Sequence, residues 1–425
     1  IQRKGWAYRQ AQLSSTHPIA ADMVDLEAVE VNFDGITYAQ GASSLRQLVA
    51  WVGEKEFLAG LTAYFDKHAW GNTRLGDLLG ELERSSGRDL SAWAHAWLET
   101  SGVNLLRPHV EVDADGAYTS VVVEQEPPSS PAGVPAVLRP HRIAIGLYDR
   151  TPNGLERTRR IEVDVVGAST EIPELVGVRR PDLLLLNDDD LTFAKIRLDD
   201  VSLRTAVESL ADLGSALARA LVWAATWDML RDAEMPMGDW LSLVEAGLPT
   251  ETDISVVTTV LSQTKAAIEQ FSGIGKREGY RDRWAALTLR LAQDAEPGSD
   301  NQLAYARAYA ATARTAEQTD VVRSWLNGGA PEGLVVDTDL RWTLLQRLIA
   351  QGAADPAEIE AELAVDDTAT GRRQAATARA LVPTREAKEA AFAATVESDD
   401  LPNAMLVATI AGFVHPDQRE LHRVF

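Results

Sequence analysis

Seven histidines carry whatever imidazole chemistry this chain can perform: His17, His68, His95, His109, His141, His415 and His422. A helical zinc site needs two of them four residues apart with a glutamate after the first, and no pair has that spacing. A complete metal site would therefore need distant residues to converge. Cysteine is absent, which removes thiolate catalysis, disulfides and cysteine-ligated zinc or iron–sulfur clusters together. There is no Gly-x-Ser-x-Gly elbow. Gly328-Gly329 has no Lys-Ser/Thr after it and reads as a helix stop, not a phosphate loop. The run Asn187-Asp188-Asp189-Asp190 offers the oxygen donors a calcium ion takes, but lacks the glycine and spaced glutamate of an EF-hand loop. It is expected to be a solvated turn. His95, between Trp93 and Trp97, is expected to pack within a helix, and His141 to lie on a strand surface. Generic motifs thus leave the chain without a catalytic centre of its own.

The elements that would position these residues fall into three zones. Of 18 prolines, nine lie between Pro108 and Pro181, and helix interiors exclude proline, so the middle zone is the strand- and loop-rich one. Before it, Phe57, Leu58, Leu61, Tyr64 and Phe65, then Leu75, Leu78, Leu79 and Leu82, then Leu90, Trp93 and Trp97 form apolar stripes at helical spacing. In the middle zone, His109–Val112 and Thr119–Val123 flank Asp115-Gly116, a hairpin turn signal. Further strands are predicted over His141–Asp149, Arg160–Val166 and Leu183–Leu186, with Pro127, Pro128, Pro131 and Pro135 in a loop. The last zone is rich in Ala and Leu. Asp355-Pro356-Ala357-Glu358 is a helix-start signature there, and Leu340, Leu344, Leu345 and Leu348 followed by Gly352 mark a helix and its stop.

Length and charge bound the rest. At about 150 residues per domain, 425 residues suggest about three domains. A net charge of −22 repels phosphate backbones and anionic headgroups, so neither nucleic acid nor membrane surface is expected as a partner. No apolar run approaches the roughly 18 residues of a membrane span. Absent cysteines suit a reducing compartment, and a cytoplasmic location is expected. The chain opens on Ile1-Gln2-Arg3-Lys4 without an initiator methionine or a signal-peptide core, and ends on Leu421-His422-Arg423-Val424-Phe425. It is expected to be a fragment of a longer protein.

Ser15-Thr16-His17-Pro18-Ile19 and the stretch Val31-Asn32-Phe33-Asp34-Gly35-Ile36-Thr37-Tyr38-Ala39-Gln40-Gly41-Ala42 resemble the segment after the zinc site of the bacterial aminopeptidase N family, the gluzincin aminopeptidases. Further blocks are similar in the same order: Ala69–Thr73, Trp97–Val103, Pro181–Asp188, Trp223–Asp232, Asp339–Trp342 and Pro383–Lys388. The resemblance implies an α+β, mainly α, multidomain fold. Residues 1–103 would be the helical end of a thermolysin-like catalytic domain and residues 104–197 a small β-sandwich. Residues 198–425 would be an α-helical superhelix, a HEAT-like solenoid truncated at its C-terminus.

In that family a Tyr-x-Lys-Gly-Ala element opens a helix and its tyrosine is catalytic. The resemblance makes Tyr38 that residue, with Gln40 in place of the lysine. When water attacks a peptide carbonyl, negative charge develops on oxygen, and a phenol can donate a hydrogen bond to it. The family's His-Glu-x-x-His motif, the further zinc-binding glutamate and the Gly-x-Met-x-Asn element all lie upstream of the matched segments. Zinc is therefore expected in the full-length parent, with no metal ligand or cofactor-binding residue supplied here. The chain alone is expected to be inactive. The parent would be a monomeric aminopeptidase acting on peptides. The alternative is a non-catalytic helical scaffold or peptide-binding module related to it, and a retained Tyr38 argues against that.

Overall fold

The computed structural model describes residues 3–425. The chain is mainly helical with two small sheets, and it divides into two compact units, one ending at Val256 and one running from Val257 to Phe425.

The first unit begins with six helices: α1 (Lys4–Ala11), α2 (Leu26–Val31), α3 (Gly41–Val52), α4 (Glu54–His68), α5 (Leu75–Ser86) and α6 (Ser91–Leu98). Local chemistry explains their ends. Asp25 Oδ1 accepts the Ala28 N–H to start α2, and Gly87, at φ 68°, closes α5. Their shared core holds Ala7, Tyr8, Leu48, Leu82, Leu90, Trp93, Trp97 and Phe193. The stripe on α4 is only partly used: Phe57 packs against this core, but Leu58 and Phe65 are exposed.

Seven strands follow: β1 (Leu105–Val112), β2 (Tyr118–Glu126), β3 (His141–Thr151), β4 (Gly154–Val165), β5 (Ser169–Glu171), β6 (Leu183–Asp188) and β7 (Lys195–Ile196). They form a four-stranded sheet in the order β5-β2-β1-β7 and a three-stranded sheet in the order β4-β3-β6. The Asp115-Gly116 turn joins β1 to β2 as expected; Asp113 Oδ1 accepts the N–H groups of Asp115 and Ala117, and Gly116 takes φ 78°. Strand β6 is buried along its whole length, which is why its sequence is a continuous Leu run and not an alternation. Helices α7 (Asp200–Ser209), α8 (Ala216–Arg231) and α9 (Met237–Gly247) complete the unit. α10 (Ile254–Gln270) opens next.

Three sequence expectations are corrected in this unit. The acidic run is not a solvated turn. Asn187, Asp188 and Asp190 are buried, and Asn187, Asp189 and Asp190 all have positive φ. Asp188 accepts from Tyr148 Oη (2.9 Å) and Arg157 Nη1 (2.8 Å), Asp189 from Arg157 and Arg160, and Asp190 from Lys4 Nζ (2.6 Å). Cations converging from elsewhere in the chain, invisible in the local sequence, make that burial tolerable. His95 is exposed, and its Nδ1 lies 2.8 Å from Glu99, one helical turn on. His141 is fully buried, bridging Thr192 Oγ1 (2.7 Å) and Gln125 Oε1 (3.1 Å), with Trp97 edge-on. Burial, with the nearby Arg139 charge, pushes its pKa down to about 3.

The second unit is helical throughout: the rest of α10, then α11 (Ile274–Asp294), α12 (Asp300–Ala310), α13 (Ala316–Leu326), α14 (Thr338–Ala350), α15 (Ala357–Val365), α16 (Ala369–Leu381), α17 (Arg385–Val396), α18 (Asn403–Phe413) and the short α19 (Arg419–His422). Side-chain caps start many of them: Ser299, Thr315, Asp337, Thr368 and Thr384 each accept a first-turn N–H. At the start of α15, Glu358 Oε1 accepts the Asp355 N–H and Asp355 Oδ1 accepts the Ala357 N–H, so the sequence signature marks the helix start. Leu340, Leu344, Leu345 and Leu348 are all buried, and Gly352 follows α14 at φ 68°. Lys388 is buried with three carbonyl acceptors, Ala380, Gly412 and Phe413, and so caps the C-terminal ends of α16 and α18.

Asp188→Ala would leave the Tyr148 hydroxyl and one face of Arg157 unpaired, and a loss of about 3 kcal/mol is expected by urea unfolding. Gly146→Ala should be comparably harmful, because its Cβ would fall 2.3 Å from Asp188 Oδ2. The pH profile should carry the mark of His141. Its folded pKa lies below its unfolded value, so the unfolded chain binds the proton first and stability falls as pH drops from about 6.5 towards 3. His141→Gln should flatten that part of the profile in acid-titrated thermal melts.

Candidate active site

Tyr38 stands in a π-helical turn, Ile36–Gln40, that runs directly into α3. π-turns are uncommon and recur at functional positions. The sequence around this one explains how it is held. Asp34 Oδ1 accepts the backbone N–H groups of Ile36 (2.9 Å) and Thr37 (3.0 Å), satisfying two donors that a helix start leaves free. Its other oxygen, Oδ2, lies 3.1 Å from His17 Nε2, while His17 Nδ1 lies 2.8 Å from the Pro18 carbonyl. Both ring nitrogens thus face oxygen atoms. Gly35 donates its N–H to Gln10 Oε1, and a Cβ at Gly35 would fall 2.5 Å from that oxygen and 2.8 Å from the Trp6 ring. Glycine is what lets α1 approach this closely.

The turn presents Tyr38 outward. The side chain is 48% exposed, its ring meets Phe33 edge-on at 4.6 Å, and its hydroxyl makes no hydrogen bond among the described residues. The next residues face the other way. Ile36, Ala39 and Gln40 are buried, and neither amide atom of Gln40 is hydrogen-bonded. Thr16, Thr37 and Ser44 have unbonded buried hydroxyls as well. Such orphaned groups are costly in a finished interior.

Asp34 and His17 had no role assigned from sequence, although an Asp two residues before Ile36 is a readable helix-start signal. What the local sequence does not disclose is the His17 contact across 17 residues. Among the described residues, no group of three His, Asp or Glu side chains could hold a metal ion. No helix is long and apolar enough to cross a membrane.

Residues 4–97 match the peptidase family M1 domain, and residues 183–423 match the ERAP1-like C-terminal domain. Tyr38 and its turn lie within the first of these. Aminopeptidase N of Streptomyces lividans is 56% identical over 424 residues, which is 99% of this chain and 50% of that protein. Tricorn protease-interacting factor F2 of Thermoplasma volcanium is 35% identical over 121 residues, 28% of this chain and 15% of the relative. Aminopeptidase M1-A of Oryza sativa subsp. japonica is 25% identical over 309 residues, 70% of this chain and 34% of the relative. The chain spans half, or less, of the length of each of these proteins.

Replacing Asp34 with alanine removes the acceptor for two backbone donors, and a loss of about 1 kcal/mol is expected on chemical denaturation. Asp34→Asn keeps one acceptor oxygen and should lose less. Equal stability of wild type and Asp34→Ala would show that the cap does not hold the turn.

Proposed function

Because the chain belongs to the M1 family of peptidases, we propose that it is the portion downstream of the zinc site in a zinc-dependent aminopeptidase. That enzyme removes N-terminal residues from peptides, and Tyr38 is the catalytic side chain this portion supplies. The observation that carries the proposal is the half-exposed Tyr38 phenol on a capped π-turn inside the M1-matching segment.

In this reading the zinc ligands and the general base belong to the rest of the enzyme. Zinc, where bound, activates water in such enzymes. The part played by this chain's own residues is separate. The Tyr38 hydroxyl donates a hydrogen bond to the carbonyl oxygen as negative charge develops there, and the Asp34 cap and Phe33 contact keep the donor in place before substrate arrives. A pre-set donor gains its advantage because no reorganisation is needed as the charge forms.

The surrounding surface supports the same reading. Val24, Leu26, Val31, Phe33, Phe65 and Trp70 are all exposed in the segment that carries Tyr38. Apolar side chains exposed in such number mark surface that meets something else. Together with the unbonded Gln40, Thr37 and Ser44, they fit a wall completed by the remainder of a catalytic domain. In this proposal residues 1–103 form that wall and residues 104–197 are a β-sandwich spacer. Residues 198–425 are a HEAT-like helical superhelix that limits access to short or unfolded peptides. The enzyme is a cytoplasmic monomer. A non-catalytic scaffold would have no use for an exposed, positioned phenol.

In the full-length enzyme, Tyr38→Phe should lower kcat by about 10²–10³ on an aminoacyl-arylamide, with a smaller change in KM. Its thermal midpoint should not move, because the hydroxyl bonds to no described protein group. Unchanged kcat would remove Tyr38 from the mechanism. The 425-residue chain alone, supplied with zinc, should show no turnover above background. Strong zinc-dependent turnover would overturn the division of labour proposed here.

A further inference from the structure

In the second unit, the turn Pro416–Gln418 after α18 is surrounded by cations. Asp417 Oδ2 lies 3.2 Å from Arg347 Nη2, and Asp417 Oδ1 lies 3.3 Å from Arg314 Nε and 3.7 Å from Arg281 Nη2. Arg281 is also held by Glu269 and Glu278, and Arg314 by Glu278. Lys265 lines the same cavity and makes no hydrogen bond or ion pair among the described residues. Counting Glu278 at the rim, the cluster carries four cations, Lys265, Arg281, Arg314 and Arg347, against three carboxylates, Glu269, Glu278 and Asp417, an excess of one positive charge. This local excess of positive charge occurs in a chain of net charge −22.

The tautomer of His415 sharpens the picture. Its Nδ1 accepts the Asp417 backbone N–H at 3.3 Å, so the proton of the neutral ring sits on Nε2. Burial and the adjacent Arg347 charge push this histidine's pKa down to about 4, so the ring is neutral at ordinary pH. Nε2–H then faces Arg347 Nη1, which can only donate, at 3.5 Å. Two donors oppose each other with no acceptor between them. The rest of Arg347 is committed: Nε donates to the Ala313 carbonyl and Nη2 to Asp417. Arg347 is buried, and the carboxylate it relies on is shared among three guanidiniums. An excess cation beside a buried guanidinium is costly, and a bridging water would satisfy the donors without offsetting that one charge.

We propose that this cavity is a binding site for a small inorganic monovalent anion of chloride size, held between Arg347 Nη1–H, His415 Nε2–H and the Lys265 ammonium. The cavity volume, about 30 Å³, exceeds the roughly 10–15 Å³ that one water-sized occupant needs and is too small for a peptide. The bound anion links α10, α14 and the turn after α18, three segments far apart in sequence.

The test uses crystals of the 425-residue chain soaked in sodium bromide, together with thermal melts in sodium chloride and sodium gluconate at equal ionic strength. An anomalous bromide peak among Arg347, His415 and Lys265 is expected. So is a saturable rise in thermal midpoint with chloride but not with gluconate. Lys265→Gln alters a solvent-reaching side chain that makes no hydrogen bond or ion pair among the described residues, so its fold should be intact. Its half-saturating chloride concentration should be about tenfold higher, the scale of one lost charge-assisted contact. Bromide peaks confined to surface arginines, or a chloride response identical in wild type and Lys265→Gln, would overturn the proposal.

Discussion

Burying Asp188 and Asp190 in one acidic turn is the constraint around which the first unit is organised. The turn Asn187–Asp190 holds left-handed backbone at three of its four residues, and Asp188 and Asp190 are removed from water. A carboxylate in that position must be matched by a cation with good geometry or it destabilises the fold by several kcal/mol. The matching cations come from three directions. Lys4 arrives from α1, 186 residues away, Arg157 and Arg160 from β4, and Arg46 on α3 donates to the carbonyls of Asp189 and Asp190. Gly146 on β3 has no side chain because Asp188 occupies the space. One charged turn thus joins the first helices to both edges of the three-stranded sheet.

The same logic recurs where no acid is available. Arg139 is buried without a carboxylate and spends its donors on the Ala96, Thr100 and Ser101 carbonyls, Thr100 Oγ1 and Asn104 Oδ1. Burial lowers its pKa to about 10, so it stays charged while tying the end of α6 to the entry of β1. At and just after β7, Lys195 and the fully buried Arg197 meet Asp232 and Glu234 after α8, and Arg197 and Arg107 hold the Glu234 carboxyl down to about 2 against its partial desolvation. Nearby Asp228 has no such help equal to its burial, and its pKa rises to about 7. Whether a buried acid keeps its charge is decided by direct hydrogen-bonded cations, not by the number of positive charges in the neighbourhood.

This explains what could and could not be read from the sequence. Elements set by short-range chemistry were legible: the Asp115-Gly116 hairpin, the Asp355–Glu358 helix start, the Leu340–Leu348 stripe and the Gly352 stop each depend on residues within a few positions. Residues whose state depends on remote partners were not. His141 lies in an Arg-Pro-His-Arg tetrapeptide that looks solvent-facing, yet Gln125 and Thr192 bury it. His95 sits between two tryptophans that stack on each other at 5.9 Å and leave it outside. The acidic run looked solvated because Lys4 and Arg157 are nowhere near it in sequence. Tyr38 was reached through resemblance alone, since no periodicity or spacing separates it from a tyrosine that merely packs.

The role proposed for Tyr38, that of a transition-state donor, makes two opposing demands. Its backbone has to be rigid enough to aim a hydroxyl within a few tenths of an ångström, and the hydroxyl itself must be uncommitted until charge develops. Helix interiors provide the first and usually defeat the second, because an ordinary α-turn packs a tyrosine along the helix surface. A π-turn re-aims one residue without ending the helix. Here the cost of that irregular turn falls on Asp34, His17 and Gly35, and not on Tyr38 itself. Separating the residues that hold the turn from the residue that uses it explains why Tyr38 can be half-exposed without being loose.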